Sequence, residues 1–223
     1  MEKTLKFLKK LKKNNNREWF QDNKKEYLDS QLEMVDFADE VLGQMNDIDV
    51  IETVSGKKSL YRIYRDIRFS PNKLPYKTNR SGSLRRAGAD RRGGFYFSIE
   101  PGNTMIGGGF YQPNKEDLEL IRRHLEMDAS DLRAVFEDKK FTSYYGELMG
   151  EQLKTVPRGF DKEDPNIDLL RFKSFYVMHT FTDKEVCSKD FVKKVVEGYA
   201  LLLPFFEVMT DYLTTNLDGE SLI

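Results

Sequence analysis

The sequence predicts an α+β fold: a central, mainly antiparallel sheet with helices supplied by the N-terminal and C-terminal segments. Two observations predict it. Apolar residues recur at helical spacing before residue 46 and again after residue 114. Between those stretches, and once more at 172–181, hydrophobicity alternates with a period of two, the mark of half-buried strands. Helices, then strands, then helices indicate α+β rather than a repeating βα array. The 223 residues, 39% of them hydrophobic, suit one domain over 1–223 that buries a core without covalent staples.

Taken in order, residues 3–13 form a short helix with Leu5, Leu8 and Leu11 on one stripe. Its lysines suit a membrane surface as well as solvent; docking by the apolar stripe is the ordinary reading. Asn14-Asn15-Asn16 breaks it, and Asn16 is placed to cap a helix starting at Arg17. A long helical stretch follows, with Leu28, Leu32, Val35, Leu42 and Met45 as its stripe, Ala38 filling it and Gln21-Asp22-Asn23 as an interruption. Trp19, Phe20 and Tyr27 anchor this region. Residues 60–69 alternate as a strand with Tyr61, Ile63, Ile67 and Phe69 on one face. Arg62, Tyr64, Asp66 and Arg68 share the other face, and Arg65 intrudes on the apolar side, where a guanidinium needs an acceptor. Residues 70–78 are a loop stiffened by Pro71 and Pro75. Residues 79–94, rich in Gly, Ser and Arg, read as a mobile loop.

Phe95–Glu100 and Thr104–Tyr111 flank a Pro101-Gly102-Asn103 turn and read as a hairpin. Asn114 caps a helix over 115–127 with Leu118, Ile121 and Leu125 inward, and Asp128 caps another over 129–136. The Gly- and Pro-punctuated stretch 139–166 shows no period. Residues 172–181 alternate as a strand. Ser188 caps a helix from Lys189 with Phe191, Val195, Val196, Tyr199 and Leu202 inward, and Pro204 restarts it before Phe205–Thr215.

The formal charge of −1 conceals an asymmetry. Residues 57–92 hold twelve bases against two acids, a net +10, which leaves −11 on the remainder. Such a concentration repels itself unless an anionic partner binds or the acidic remainder folds against it. The single cysteine, Cys187, excludes an internal disulfide and a cysteine-rich zinc module. No apolar run approaches the roughly 20 residues of a membrane span. The basic N-terminus lacks a continuous apolar stretch, so a cytoplasmic setting is expected. His124 and His179 have no second ligand at metal spacing, so neither a metal nor a cofactor is expected. Ser55-Gly56-Lys57-Lys58-Ser59 is not a phosphate loop, because position 51 is Ile rather than Gly.

Four stretches resemble an uncharacterised bacterial and fungal family, domain of unknown function 2461. The main one runs Arg62-Ile-Tyr-Arg65-Asp66-Ile-Arg68-Phe69-Ser70-Pro-Asn-Lys73-Leu-Pro75-Tyr76-Lys77-Thr78. The others are Asn15-Asn16-Arg17-Glu18-Trp19-Phe20, Gly107-Gly108-Gly109-Phe110-Tyr111-Gln112-Pro113 and Pro157-Arg158-Gly159-Phe160. Relatives tend to carry Trp where this chain has Tyr111, which keeps an aromatic. The resemblance covers nearly the whole chain. It implies a single α+β domain with a motif-rich centre at 62–77 and transfers no activity.

The residues themselves direct attention to the same centre. Arg62, Arg65 and Arg68 with Lys73 and Lys77 offer forks and point charges for a phosphate or carboxylate. Tyr64, Tyr76 and Asp66 are their polar partners, with Asp66 orienting an arginine because neighbouring cations lower its pKa. The opposing reading is a solvated, salt-bridged strand face. Gly107, Gly108 and Gly109 would let backbone approach a ligand, against a plainer reading as tight packing. The leading expectation is therefore a binding domain or enzyme for a phosphate- or carboxylate-bearing small molecule. The first alternative is a non-catalytic nucleic-acid-binding module built on 57–92, and the second is a structural or interaction protein without a ligand.

Overall fold

The computed structural model describes residues 1–223. The chain begins with helices α1 (Glu2–Lys13), α2 (Arg17–Asp22), α3 (Lys24–Met45) and the single turn α4 (Gly56–Ser59). Strands β1 (Arg80–Arg85), β2 (Gly94–Ile99) and β3 (Thr104–Phe110) follow. Next come α5 (Lys115–Met127), α6 (Ser130–Glu137), α7 (Lys139–Tyr145) and the turn α8 (Ile167–Leu170). Strand β4 (Phe175–Phe181), the turn α9 (Asp183–Val186), α10 (Phe191–Leu201) and α11 (Leu203–Thr214) complete the fold. The strands form one antiparallel sheet in the order β1-β2-β3-β4. The architecture is α+β.

Two compact units emerge from the pattern of contacts. The first comprises Met1–Arg85, Tyr96–Ile106 and Thr180–Glu197, and the second Arg86–Phe95, Gly107–His179 and Gly198–Ile223.

In the first unit, α1 buries Leu5, Phe7, Leu8 and Leu11. The Glu33 carboxylate of α3 receives the Thr4 amide (2.8 Å) and hydroxyl (2.7 Å). Asn16 caps α2 as the sequence predicts, its side chain accepting the Trp19 amide at 2.9 Å. The stripe of α3 differs from the one expected: Leu28 and Leu32 are exposed, and the buried face runs through Ser30, Met34, Phe37, Ala38, Val41, Leu42 and Met45. That set keeps the helical period but is rotated to include a polar contact, Ser30 against Thr4, which hydropathy alone does not reveal. Phe37 then packs edge-on against Phe97 of β2 at 5.5 Å.

The expected strand over 60–69 does not form. Only isolated bridges, Leu60 to Gly82 and Tyr64 to Tyr76, occur there. Of the residues expected on the inner face, Ile63 is buried and Ile67 half-buried, whereas Tyr61 is exposed and Phe69 is 94% exposed. The cause is local: the Asp66 carboxylate accepts the Arg68 amide at 3.2 Å and turns the chain away from an extended path. Conversely, Arg80–Arg85, expected in a mobile loop, is strand β1. Its buried positions are filled by Arg80, Ser81, Gly82 and Leu84, so no hydrophobic alternation announces it. Gly82 lies under the Phe97 ring, where a Cβ would come within 2.5 Å of a ring carbon.

In the second unit, Phe95 contacts the rings of Tyr199 (4.8 Å) and Phe206 (5.1 Å), and Phe110 packs edge-on to Phe205 (5.9 Å). Asn114 caps α5 by accepting the Asp117 amide at 2.7 Å. The Tyr145 hydroxyl donates to the Gly198 carbonyl at 2.8 Å, and burial holds its phenol far above the ordinary tyrosine pKa. The unassigned stretch after 138 begins with α7, capped by Asp138. The hairpin and the strand after 172 occur as predicted, although β4 starts only at Phe175.

The glycines of β3 serve packing. A Cβ on Gly107 would lie 2.0 Å from the Val177 carbonyl oxygen, and one on Gly109 2.2 Å from that of Phe175. What approaches these backbones closely is β4. Gly107→Ala therefore forces the strands apart and should lower stability by about 2–4 kcal/mol in chemical denaturation. Gly43, on the exposed side of α3 with no atom within 4 Å of where a methyl group would stand, is the counter-case. Gly43→Ala should raise stability by about 0.5–1 kcal/mol. Equal effects at the two sites would contradict the packing role.

Candidate functional site

The segment 63–77 has almost no regular secondary structure, so its position depends on a few specific ties. The Arg65 amide donates to the Pro75 carbonyl (2.9 Å) and the Lys77 amide to the Ile63 carbonyl (2.8 Å), closing a narrow ribbon. Tyr76 is buried and stacks on Phe20 with centroids 4.0 Å apart and planes 12° from parallel. Asn15 completes the anchor: its Nδ2 donates to the Tyr76 carbonyl (2.9 Å) while its Oδ1 accepts the Tyr76 amide (3.1 Å). A single side chain thus satisfies both backbone groups of one residue, as a strand partner would.

Two adjoining cavities open between this segment and the start of α2. The smaller, about 260 Å³, is lined by Arg17, Gln21, Tyr64, Arg65, Ile67, Pro75 and Tyr76. The larger, about 620 Å³, shares Arg17, Ile67 and Pro75 with it and adds Asn15, Asn16, Asn72, Lys73 and Leu74. Together they make a groove lined by three cations and no carboxylate.

Two of the groove's three cations are held by neutral partners. Arg65 donates from Nη2 to the Ser70 hydroxyl at 3.4 Å. Lys73 donates to the Ile67 carbonyl at 3.0 Å and so closes the intervening loop. Burial, and then the nearby Tyr64 phenol, raises the Tyr76 phenol pKa, which keeps that hydroxyl protonated.

The other expected residues lie differently. Asp66 and Arg68 pair with each other at 3.0 and 2.7 Å on the exposed face of the turn, and neither lines either of these two cavities. The Arg68 guanidinium lowers the Asp66 pKa, the direction expected for a carboxylate that orients an arginine. Arg62 and Lys77 fall outside both linings, and Lys77 feels the charges of both Arg62 and Arg80. Gly107, Gly108 and Gly109 lie within β3 against strand backbone and the Leu202 and Phe206 side chains. Of the eight residues expected around 62–77, the structure brings Tyr64, Arg65, Lys73 and Tyr76 together. It adds Arg17, Gln21 and Asn15; Asn15 and Arg17 lie in the family-like run Asn15-Asn16-Arg17-Glu18-Trp19-Phe20, and Gln21 follows it without a signal of its own.

Much of the remaining positive charge is internally engaged. Arg80 and Arg86 are buried. Arg91 pairs with Asp90 (2.9 Å), Arg92 with Asp117, and Arg85 reaches Glu52 at 4.0 Å. A cavity of about 390 Å³ in the second unit also contains a cation, but Arg133 there is bonded to Asp168 at 2.8 Å. His124 stacks on Tyr212 (5.1 Å) and contacts the Thr215 carbonyl, and His179 stacks on Tyr144 (3.9 Å).

The chain belongs to the family described as conserved hypothetical protein (DUF2461), whose profile matches residues 3–207. No curated protein and no solved structure matches it.

Two outcomes follow from this geometry. Asn15→Ala removes both ties to Tyr76 and should cost about 2 kcal/mol, with faster hydrogen exchange at the Tyr76 amide. Unchanged exchange would show that the Phe20 stack alone holds the segment. For Asp66, the folded pKa lies below the unfolded one, so its tie to Arg68 is present above the unfolded pKa and is lost as pH falls through the folded value. An NMR titration should find Asp66 ionised to lower pH than an ordinary aspartate, and Arg68→Ala should return it toward the ordinary value.

Proposed function

We propose that this member of the family is a binding domain for a phosphate- or carboxylate-bearing ligand, held in the groove by Arg17, Arg65 and Lys73. The observation that carries the reading is the lining itself: three cations, no acid, and none of the three in an ion pair with a carboxylate of the chain. Arginine forks match the geometry of phosphate and carboxylate oxygens, and lysine adds a point charge. In a concave site with apolar walls, such as Ile67 and Pro75 provide, the field of these groups is screened less than on an open surface. The cavity of about 260 Å³ is of a size for the anionic group, and the adjoining one accommodates the rest of a small molecule. Gln21, Tyr64 and Tyr76 supply hydrogen-bonding groups that give orientation. The proposed setting is the cytoplasm, in keeping with a single, exposed, free cysteine.

The nucleic-acid alternative needs a continuous basic surface over 57–92. The arginines of 80–92 are instead buried or paired with acids, and Arg68 is paired with Asp66, which leaves Lys57, Lys58, Arg62, Arg65, Lys73 and Lys77 as the bases of that stretch that are neither buried nor in an ion pair. That distribution favours a confined anion over a long polyanion.

Inorganic phosphate and citrate are suitable probes in titration calorimetry. Arg17→Ala and Arg65→Ala should each weaken binding by about 10- to 100-fold, the loss expected for one charge-assisted contact. Arg68→Ala, outside the groove, should leave binding unchanged, and added salt should weaken it. If the Arg17→Ala/Arg65→Ala protein binds both probes at this site as tightly as the unsubstituted protein, the reading fails.

A further inference from the structure

The groove has two chambers with a common wall. Arg17, Ile67 and Pro75 line both. Arg65, with Gln21, Tyr64 and Tyr76, lines only the smaller chamber. Lys73, with Asn15, Asn16, Asn72 and Leu74, lines only the larger. Each chamber therefore has a cation of its own, and Arg17 serves both.

The polar atoms of the larger chamber decide what it can hold. Asn16 and Asn72 turn their side-chain oxygens to the backbone: the Trp19 amide donates to Asn16 Oδ1 at 2.9 Å, and the Leu74 amide to Asn72 Oδ1 at 2.9 Å. Both partners are N–H donors, so the atom that meets them is oxygen, and the orientation of each side-chain amide is fixed. What each side chain has left for a ligand is its NH2 group, which only donates. Asn15 has both its nitrogen and its oxygen on Tyr76. Lys73 donates to the carbonyls of Ile67 (3.0 Å) and Arg68 (3.5 Å), and an ammonium group has a third N–H. The larger chamber thus meets a ligand with donors and positive charge, and no carboxylate lines it. A neutral, apolar portion of a ligand would displace water from these donors and give them no acceptor, which costs free energy. A second anionic group satisfies them.

On the footing that the groove is the anion site, we propose that its ligand is a small molecule with two anionic groups, phosphate or carboxylate, joined by a short carbon linker. One group lies in the smaller chamber against Arg65 and Arg17. The other lies in the larger chamber against Lys73, Arg17 and the NH2 groups of Asn16 and Asn72. The linker crosses the shared apolar wall of Ile67 and Pro75. Once the first group is seated, the second contact is intramolecular, so the bis-anion binds more tightly than either half.

The test is titration calorimetry at one ionic strength. Propylphosphonate offers one anionic group, and methane-, propane- and hexane-diphosphonate offer two at increasing separation. The best diphosphonate should bind about 10- to 100-fold more tightly than propylphosphonate, the gain expected for a further charge-assisted contact. Its affinity should exceed that of the shorter or longer homologues, since a linker must match the span between two sites. Lys73→Met should remove most of the advantage over propylphosphonate. Asn72→Asp should do the same while keeping an oxygen for the Leu74 amide, so the turn survives and a repelling oxygen replaces the donor. Arg65→Ala should weaken both kinds of probe. The inference is overturned if no diphosphonate exceeds propylphosphonate by more than the roughly twofold statistical factor of two identical ends. It is equally overturned if affinity is the same at every linker length, or if Lys73→Met and Asn72→Asp both keep the full advantage. Propylphosphonate binding that is lost in the Arg17→Ala/Arg65→Ala protein, with no diphosphonate advantage, would overturn the two-group ligand and leave the groove as an anion site. Absence of binding by every probe would overturn both.

Discussion

The candidate groove depends on how a chain segment without regular secondary structure is fixed in place. Residues 63–77 have neither a helix nor a ladder to define them, yet Ile63 and Tyr76 belong to the same aromatic core as Phe7, Leu8, Leu11 and Phe20. The Phe20–Tyr76 stack supplies apolar burial, and the Asn15 amide supplies direction by bonding both backbone groups of Tyr76. Burial alone would leave the segment free to slide, because hydrophobic contact is non-directional. The pair of amide bonds sets the register. Once Tyr76 is placed, Arg65 and Lys73 on its own segment face Arg17 at the start of α2.

Electrostatics explains why the cations divide into groups with different fates. The +10 of residues 57–92 is not a uniform patch. Some of it is neutralised by ion pairs such as Arg92 with Asp117, and some is buried, as for Arg86, which donates to the Arg92 carbonyl and lies over the Phe206 ring. Of the rest, Arg65 and Lys73 line the groove, and Lys57, Lys58, Arg62 and Lys77 lie outside it. In the groove, positive charge stands in a confined space without an acid. Self-repulsion and desolvation there work in the same direction.

The sequence was most legible where local rules agree with tertiary packing. Asn16 and Asn114 have the side chains and positions that caps require, and both cap. Phe95, Phe97 and Ile99 alternate and are buried together. It misled where the burying surface belongs to another element. β1 is buried by residues as polar as Arg80 and Ser81 because Phe97 covers Gly82. The stretch 60–69 has the right alternation for a strand, but the Asp66 turn diverts it and β1 takes its place beside β2. Half of the residues expected at the site reached the groove for the same reason: a strand would have aligned Arg62, Tyr64, Asp66 and Arg68, and a turn separates them.

By itself the sequence determined the fold class, the hairpin, most helices, the family and the region where positive charge gathers. These follow from periodicity, capping and composition, which act over a few residues at a time. Only the tertiary structure decided which cations are free, because ion pairing, burial and stacking join residues far apart in the chain. Arg17 is brought to Arg65, Arg92 to Asp117 and Arg80 to Gln31 by the packing of α1, α2 and α3 and by the sheet order. No spacing in the sequence encodes those distances.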